Sequence, residues 1–145
     1  MRQAVVSDIP WLLEQLKEFE TFFNSSLKMY PDPKYAEEFL MAFIGEHFFT
    51  IALDDDKPVG FVAGFISGHL FNPKIRTLSE VFWWVSPEHR GSGAASMLMN
   101  EFIRYGKQHS DVIHFSLQEN TPVSPNHLLI KGFKLREKCY VMEVT

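Results

Sequence analysis

The stretch that most constrains this chain is Val85-Ser-Pro-Glu-His-Arg-Gly-Ser-Gly-Ala-Ala, which opens at the end of an apolar run and leads into an amphipathic helix predicted from about Gly91 to Gln108. Between strand and helix lie an arginine, two glycines and a run of very small residues. A helix N-terminus presents backbone N–H groups that lack partners within the helix, and the macrodipole adds about half a positive charge there. Side chains as small as those of Gly91, Ser92, Gly93, Ala94 and Ala95 hardly obstruct a ligand approaching that backbone. Arg90 adds a fixed cation with a fork of donors. The stretch therefore reads as an anion cradle, best suited to a pyrophosphate.

Other readings of the same residues compete. A Walker A loop needs Gly-Lys-Ser/Thr at its end, which is missing here. The dinucleotide fingerprint G-x-G-x-x-G/A is met by Gly91 and Gly93 but fails at Ser96, and too little chain follows for the further βα units that fold requires. The plain alternative is a glycine-rich turn that merely starts a helix.

The 145 residues fit one domain, 1–145, and 46% of them are apolar, ample for a packed core. No stretch is long and apolar enough to span a bilayer, and the start of the chain lacks the apolar segment of a signal peptide. The single cysteine, Cys139, excludes an internal disulfide and suits a reducing cytoplasm. It is expected to be a small buried hydrophobe in a terminal strand. A net charge of −4 argues against nucleic acid as a partner. His109 and His114 lack the context of zinc ligands, so no metal is expected.

Hydrophobic spacing predicts a strand over Arg2–Val6 and a helix capped by Ser7 or Asp8 and carrying Trp11, Leu12, Leu16 and Phe19. A loop over Asn24–Pro33 leads to a second helix through Tyr35, Phe39, Leu40 and Phe43. Strands follow over His47–Leu53, Val59–Leu70 and Arg76–Val85, the first two joined by the acidic turn Asp54–Lys57. After the long helix come a strand over Val112–Leu117, a short helix over Asn126–Lys131, and two last strands over Phe133–Leu135 and Tyr140–Val144. This order implies an α+β fold, with helices on both faces of a mixed, mostly antiparallel sheet.

The cradle resembles motif A of the GNAT (GCN5-related) N-acetyltransferases, R/Q-x-x-G-x-G/A after a strand ending near V-x-P. Arg90, Gly93 and Ala95 stand at its three defining positions. Leu78-Ser-Glu-Val-Phe-Trp-Trp-Val resembles the family's fourth strand, Lys131-Gly-Phe-Lys its turn after the last helix, and Arg2-Gln-Ala with Ser7-Asp8-Ile9 its first strand and helix start. The wording around the cradle also resembles small phage-encoded members. The resemblance implies acetyl-CoA as co-substrate, bound where the fourth and fifth strands splay. Its pyrophosphate would lie on Arg90–Ala95 and its pantetheine along the backbone of Trp84, Val85 and Ser86, like an added strand. A backbone N–H near Val85 would face the thioester oxygen, and Asn120 matches the family's asparagine after the fifth strand within one residue. The implied reaction is direct acetyl transfer to a primary amine, small-molecule or protein, without a covalent enzyme intermediate. A homodimer joined through the last two strands is also implied.

An amine with a pKa of about 10.4 is almost wholly protonated at neutral pH, so a general base helps. Glu80 is the candidate. On strict alternation it shares a face with Phe82 and Trp84, and a carboxylate beside aromatics tends toward a raised pKa. It also stands where some family members place a glutamate base; the plain reading is a strand-end carboxylate in solvent. The family's thiolate-protonating tyrosine, four residues before the glycine, is replaced by Leu128. His127 and Tyr140 are the substitutes, although a surface histidine and a core tyrosine are the ordinary readings. Trp83, His69 and Phe71, with the stretches 22–30 and 68–76, are candidates for the acceptor walls. A non-catalytic acyl-CoA-binding regulatory module is the rival reading, since it needs the cradle but no base.

Overall fold

The computed structural model describes residues 1–21 and 32–144. The expected acceptor wall over 22–30, and the loop beginning at Asn24 up to Pro31, lie outside the described residues.

Five strands form one sheet in chain order: β1 (Arg2–Gln3), β2 (Phe48–Asp54), β3 (Lys57–His69), β4 (Asn72–Val85) and β5 (Val112–His114). All neighbours are antiparallel except β4 and β5, which run parallel. Simple hairpins explain the β2–β3 and β3–β4 pairings, whereas the chain passes through two helices between β1 and β2. Asp55 and Asp56 take positive φ values of 45 and 64 degrees between β2 and β3, as a tight two-residue turn demands. The parallel pair needs a crossover, supplied by α3 (Ala94–His109). Helices α1 (Ile9–Glu20) and α2 (Pro33–Glu46) cover the opposite face, and α4 (Asn126–Ile130) follows β5. The fold is the α+β arrangement expected, with helices on both faces.

Each face has its own core. Leu12 of α1 and Leu40 and Phe43 of α2 pack with Ile51, Phe61 and Trp84 on one side. Ala94, Leu98 and Phe102 of α3 pack with Val62, Leu78 and Val85 on the other. The contact with α3 is so close that a Cβ on Gly64 would lie 2.5 Å from the Phe102 ring. Pro33, expected in a loop, instead opens α2 at its first position, where its missing N–H costs nothing; the Asp32 carboxylate accepts from Tyr35 N at 3.0 Å as the cap. Asp8 does not cap α1 with its side chain. Its buried carboxylate instead takes both arms of the Arg2 guanidinium at 2.7 Å and the Val5 N–H at 2.8 Å, pinning β1 to the helix start. Those donors hold the Asp8 carboxyl below the usual range.

The end of the chain departs from expectation. Residues 133–144 contain no strand. A strand exists only where a neighbour supplies its ladder. Here β5 stops at His114, and its outer edge pairs with no strand among the described residues. Cys139 is therefore exposed rather than buried, and Tyr140, 88% exposed, is not a core residue.

Candidate active site

β4 is paired on both edges over Thr77–Ser79, where Val112, Ile113 and His114 lie opposite. Beyond that point it pairs with β3 alone, and the sheet opens. The opening is a cavity of about 710 Å³. Its walls come from the free edge of β4, from Ser116 and Leu117 after β5, from the start of α3, and from Phe19 of α1.

A β-bulge marks the point of opening. Gly64 lies opposite Glu80 and Ala63 opposite Phe82, so Val81 has no counterpart on β3. The extra residue breaks the alternation. Val81 and Phe82 both pack toward α1 and α2, whereas Leu78 before the bulge and Trp83 after it pack toward α3. Glu80 shares the face of Leu78. The expectation that it shares one with Phe82 and Trp84 is thus corrected, because one inserted residue exchanges the two faces.

Glu80 is half-buried, and its Oε2 accepts from the Ser116 N–H at 3.4 Å across the gap. Burial pushes its carboxyl up to about 7, against the weaker downward pull of that N–H. The carboxyl can therefore exist in either protonation state near neutral pH. The direction is the one expected from the sequence, with burial as its cause rather than a face shared with Phe82 and Trp84.

The far end of the opening is built by Ser86–Ala95. Gly91 and Gly93 adopt φ values of 83 and 88 degrees, accessible to glycine at little cost, and among the described residues no atom beyond the chain neighbours lies within 4 Å of a Cβ placed on either. The helix starts at Ala94 rather than near Gly91, with Gly93 as N-cap. The first helical hydrogen bond runs from Met97 N to Gly93 O at 3.0 Å, so the N–H groups of Ala94, Ala95 and Ser96 lack helical partners. Ala94 N makes only a 3.4 Å contact with Ser92 Oγ.

Arg90 lies over the Trp84 ring at 4.7 Å, and its Nε donates to Val85 O at 3.1 Å. Trp84 is anchored in turn, because its Nε1 and the Ser86 hydroxyl both donate to Gln15 Oε1, at 3.0 and 2.8 Å, in the buried region beneath α1. Ser86 N donates to Val59 O on β3 at 2.9 Å. By alternation, the N–H and C=O of Val85 face the open edge.

Of the residues singled out from sequence, Glu80, Trp84, Val85, Arg90, Gly91, Gly93 and Ala95 line the cavity. Ser86 and Ala94 are buried beside it, Ser92 is exposed at its rim, and Asn120 is exposed between the lining residues Gln118 and Thr121. Trp83 also lines it and donates from Nε1 to Ala95 O at 3.3 Å. His127 lines it as well, whereas Tyr140 does not. His69 and Phe71 sit at the tip of the β3–β4 hairpin, away from the lining. Sequence reasoning missed Phe19, Val81 and Met99. Helical periodicity could mark Phe19 as apolar-facing, but not that α1 ends against the opening.

The arrangement sets the start of α3, the Arg90 guanidinium and the Glu80 carboxyl along one cavity at the open edge of β4. The model of the Acetyltransferase (GNAT) family matches residues 12–129. No curated protein matches the chain. Among solved structures, the chain is similar to a transcriptional regulator from Bacillus halodurans C-125, at 16% identity over 99% of this chain and 97% of that one, with a TM-score of 0.78. It is also similar to a ribosomal-protein-alanine N-acetyltransferase from Brucella melitensis biovar Abortus 2308, at 18% identity over 97% and 96% of the two chains, with a TM-score of 0.71. A structure named "predicted acetyltransferase with acetyl-CoA", from Clostridium acetobutylicum, matches at 13% identity over 98% and 94%, with a TM-score of 0.72. With the family model covering most of its length, and with the sheet opening and the glycine cradle where the motif requires them, the chain belongs to the GNAT family of acetyltransferases.

Proposed function

We propose that the protein transfers an acetyl group from acetyl-CoA directly to a primary amine, with Glu80 as general base. One observation carries the reading: the half-buried Glu80 carboxyl and the Arg90–Ala95 cradle line the same cavity. Acetyl-CoA, with its pyrophosphate on the Gly91–Ser96 backbone and Arg90, would extend its pantetheine along Trp84–Ser86. The Val85 N–H, turned to the open edge, would donate to the thioester oxygen as it gains charge. Glu80 in its ionised form takes a proton from the ammonium, and the neutral amine attacks the thioester carbon. As the C–S bond breaks the nitrogen sheds its second proton to water, leaving the neutral amide, and Glu80 returns the first to solvent. The departing thiolate needs a proton, and His127 is the titratable side chain on the cavity wall near the turn where the family carries its tyrosine. Asn120 would act from the rim.

The test is release of free thiol from acetyl-CoA in a panel of small amines, polyamines, an aminoglycoside and lysine- or alanine-terminated peptides, with wild type and Glu80→Gln. Wild-type release with at least one amine and a collapse in the variant are expected. Tight acetyl-CoA binding without release for any amine would instead favour the non-catalytic binding module.

We further infer a single domain over 1–145 working in the cytoplasm as a homodimer. The support for the dimer is the apolar C-terminal stretch, in which Leu135, Tyr140, Val141, Met142 and Val144 are each at least 74% exposed. Light scattering at high protein concentration checks it, with a monomer mass as the contrary result.

A further inference from the structure

The cavity walls are unequal in charge. Among the described residues, Glu80 is the only side-chain carboxylate lining it, while Arg90 brings a fixed cation and His89 and His127 two imidazoles.

On the α1 side the cavity is lined by the Phe19 ring, edge-on to Trp84 at 5.7 Å and backed, behind the lining, by Phe82 at 6.3 Å and by Phe39 of α2, 6.5 Å from Phe82. Val81, on the β4 face opposite Glu80, lines the same side of the cavity. Since the cradle lies at the α3 end, the Phe19 and Val81 side is, among the described residues, an apolar wall open to the body of an acceptor whose nitrogen reaches Glu80.

We propose that the acceptor is a small monoamine with an aromatic or aliphatic body, and that the site discriminates against polycations. This rests on the acetyl-transfer reading above. One ammonium finds its partner in Glu80. A second would be desolvated without a carboxylate and would share the cavity with Arg90, which costs binding on both counts. An apolar body instead gains by leaving water for Phe19 and Val81, and a ring gains further from edge-to-face packing.

The experiment is thiol release from acetyl-CoA by the full chain with 2-phenylethylamine, hexylamine, spermidine, kanamycin and the two peptides. kcat/KM for phenylethylamine is expected to exceed that for spermidine and kanamycin by about 100-fold or more. Phe19→Ala should lower kcat/KM for phenylethylamine about tenfold, chiefly through KM, in line with the modest discrimination apolar pockets provide. Phe19→Glu, which supplies the missing carboxylate, should narrow the preference over spermidine. Equal or better use of spermidine or kanamycin by the wild type overturns the inference and leaves acetyl transfer standing, as does release with the peptides alone. Absence of release with every amine overturns both.

Discussion

The two ends of β4 do different work with similar residues. At Thr77–Ser79 the strand has β3 on one edge and β5 on the other, and Thr77 and Leu78 are buried. From Glu80 to Val85 it keeps β3 but loses β5, and the freed edge faces the cavity. Both ends carry apolar side chains, so hydrophobicity does not separate them. What separates them is the bulge at Val81 and the early end of β5. The site is made by withholding a strand. Backbone groups that a further strand would consume there face the cavity instead.

If that division holds, substitutions at the open end should cost rate or affinity, and those at the closed end should cost stability. The largest effect is expected at Glu80. Glu80→Gln keeps shape and hydrogen-bonding capacity but cannot take the proton, so kcat should fall by about 10²–10⁴-fold. Acetyl-CoA affinity should stay within about threefold, because the cradle is elsewhere. With the carboxyl at about 7, wild-type kcat/KM should climb through a limb near that pH. The variant should lose the limb and gain rate only toward the amine's own pKa, about 10. Matching limbs and plateaus in the two profiles would remove Glu80 from the mechanism.

The closed end provides the contrast. Leu78, fully buried against α3 and opposite Ile113, should lose about 2–5 kcal/mol of stability on change to alanine. Denaturant unfolding measures this, while acetyl-CoA affinity below the transition should be unchanged. A large loss of affinity without loss of stability would show that the two ends are not separable.

Between these lies Gly93→Val. At a φ of 88 degrees a β-branched residue is strained, by about 1–3 kcal/mol, and its methyl groups would stand where a pyrophosphate approaches. Acetyl-CoA affinity should fall by about 10–100-fold by calorimetry, with the circular dichroism spectrum retained. Unchanged affinity would remove the cradle from the binding site.

Much of this was legible in the residues, and the failures have physical causes. The glycine turn that leads into α3 was readable because small residues before an amphipathic run form a local pattern. The hairpin turn was readable for the same reason. Glu80 was found, but on the wrong face, because alternation counts residues and cannot see that Val81 has no partner on β3. The last two strands were expected from β-prone residues, yet pairing is a property of the neighbour, and β5 ends too soon. Phe19 comes to the cavity only through the packing of α1 on the sheet.

The smallest predicted effect follows from the position of Glu80 at the boundary between the two ends. Its carboxyl ionises near 4.5 when unfolded and near 7 when folded. Between those values the folded chain binds more protons than the unfolded chain, so stability falls as pH rises across that window. Below about pH 4 the group costs nothing, and above about pH 7 the whole penalty is in force. Glu80→Gln removes it. The variant should therefore match wild type in melting temperature at pH 4 and exceed it at pH 8 by about 2–6 °C, since partial exposure trims the penalty to at most about 2 kcal/mol. A glutamate retained for packing would behave in reverse, with the variant less stable at both pH values. A variant that loses rate but gains stability at pH 8 is the signature of a carboxylate held in an unfavourable place for its chemistry.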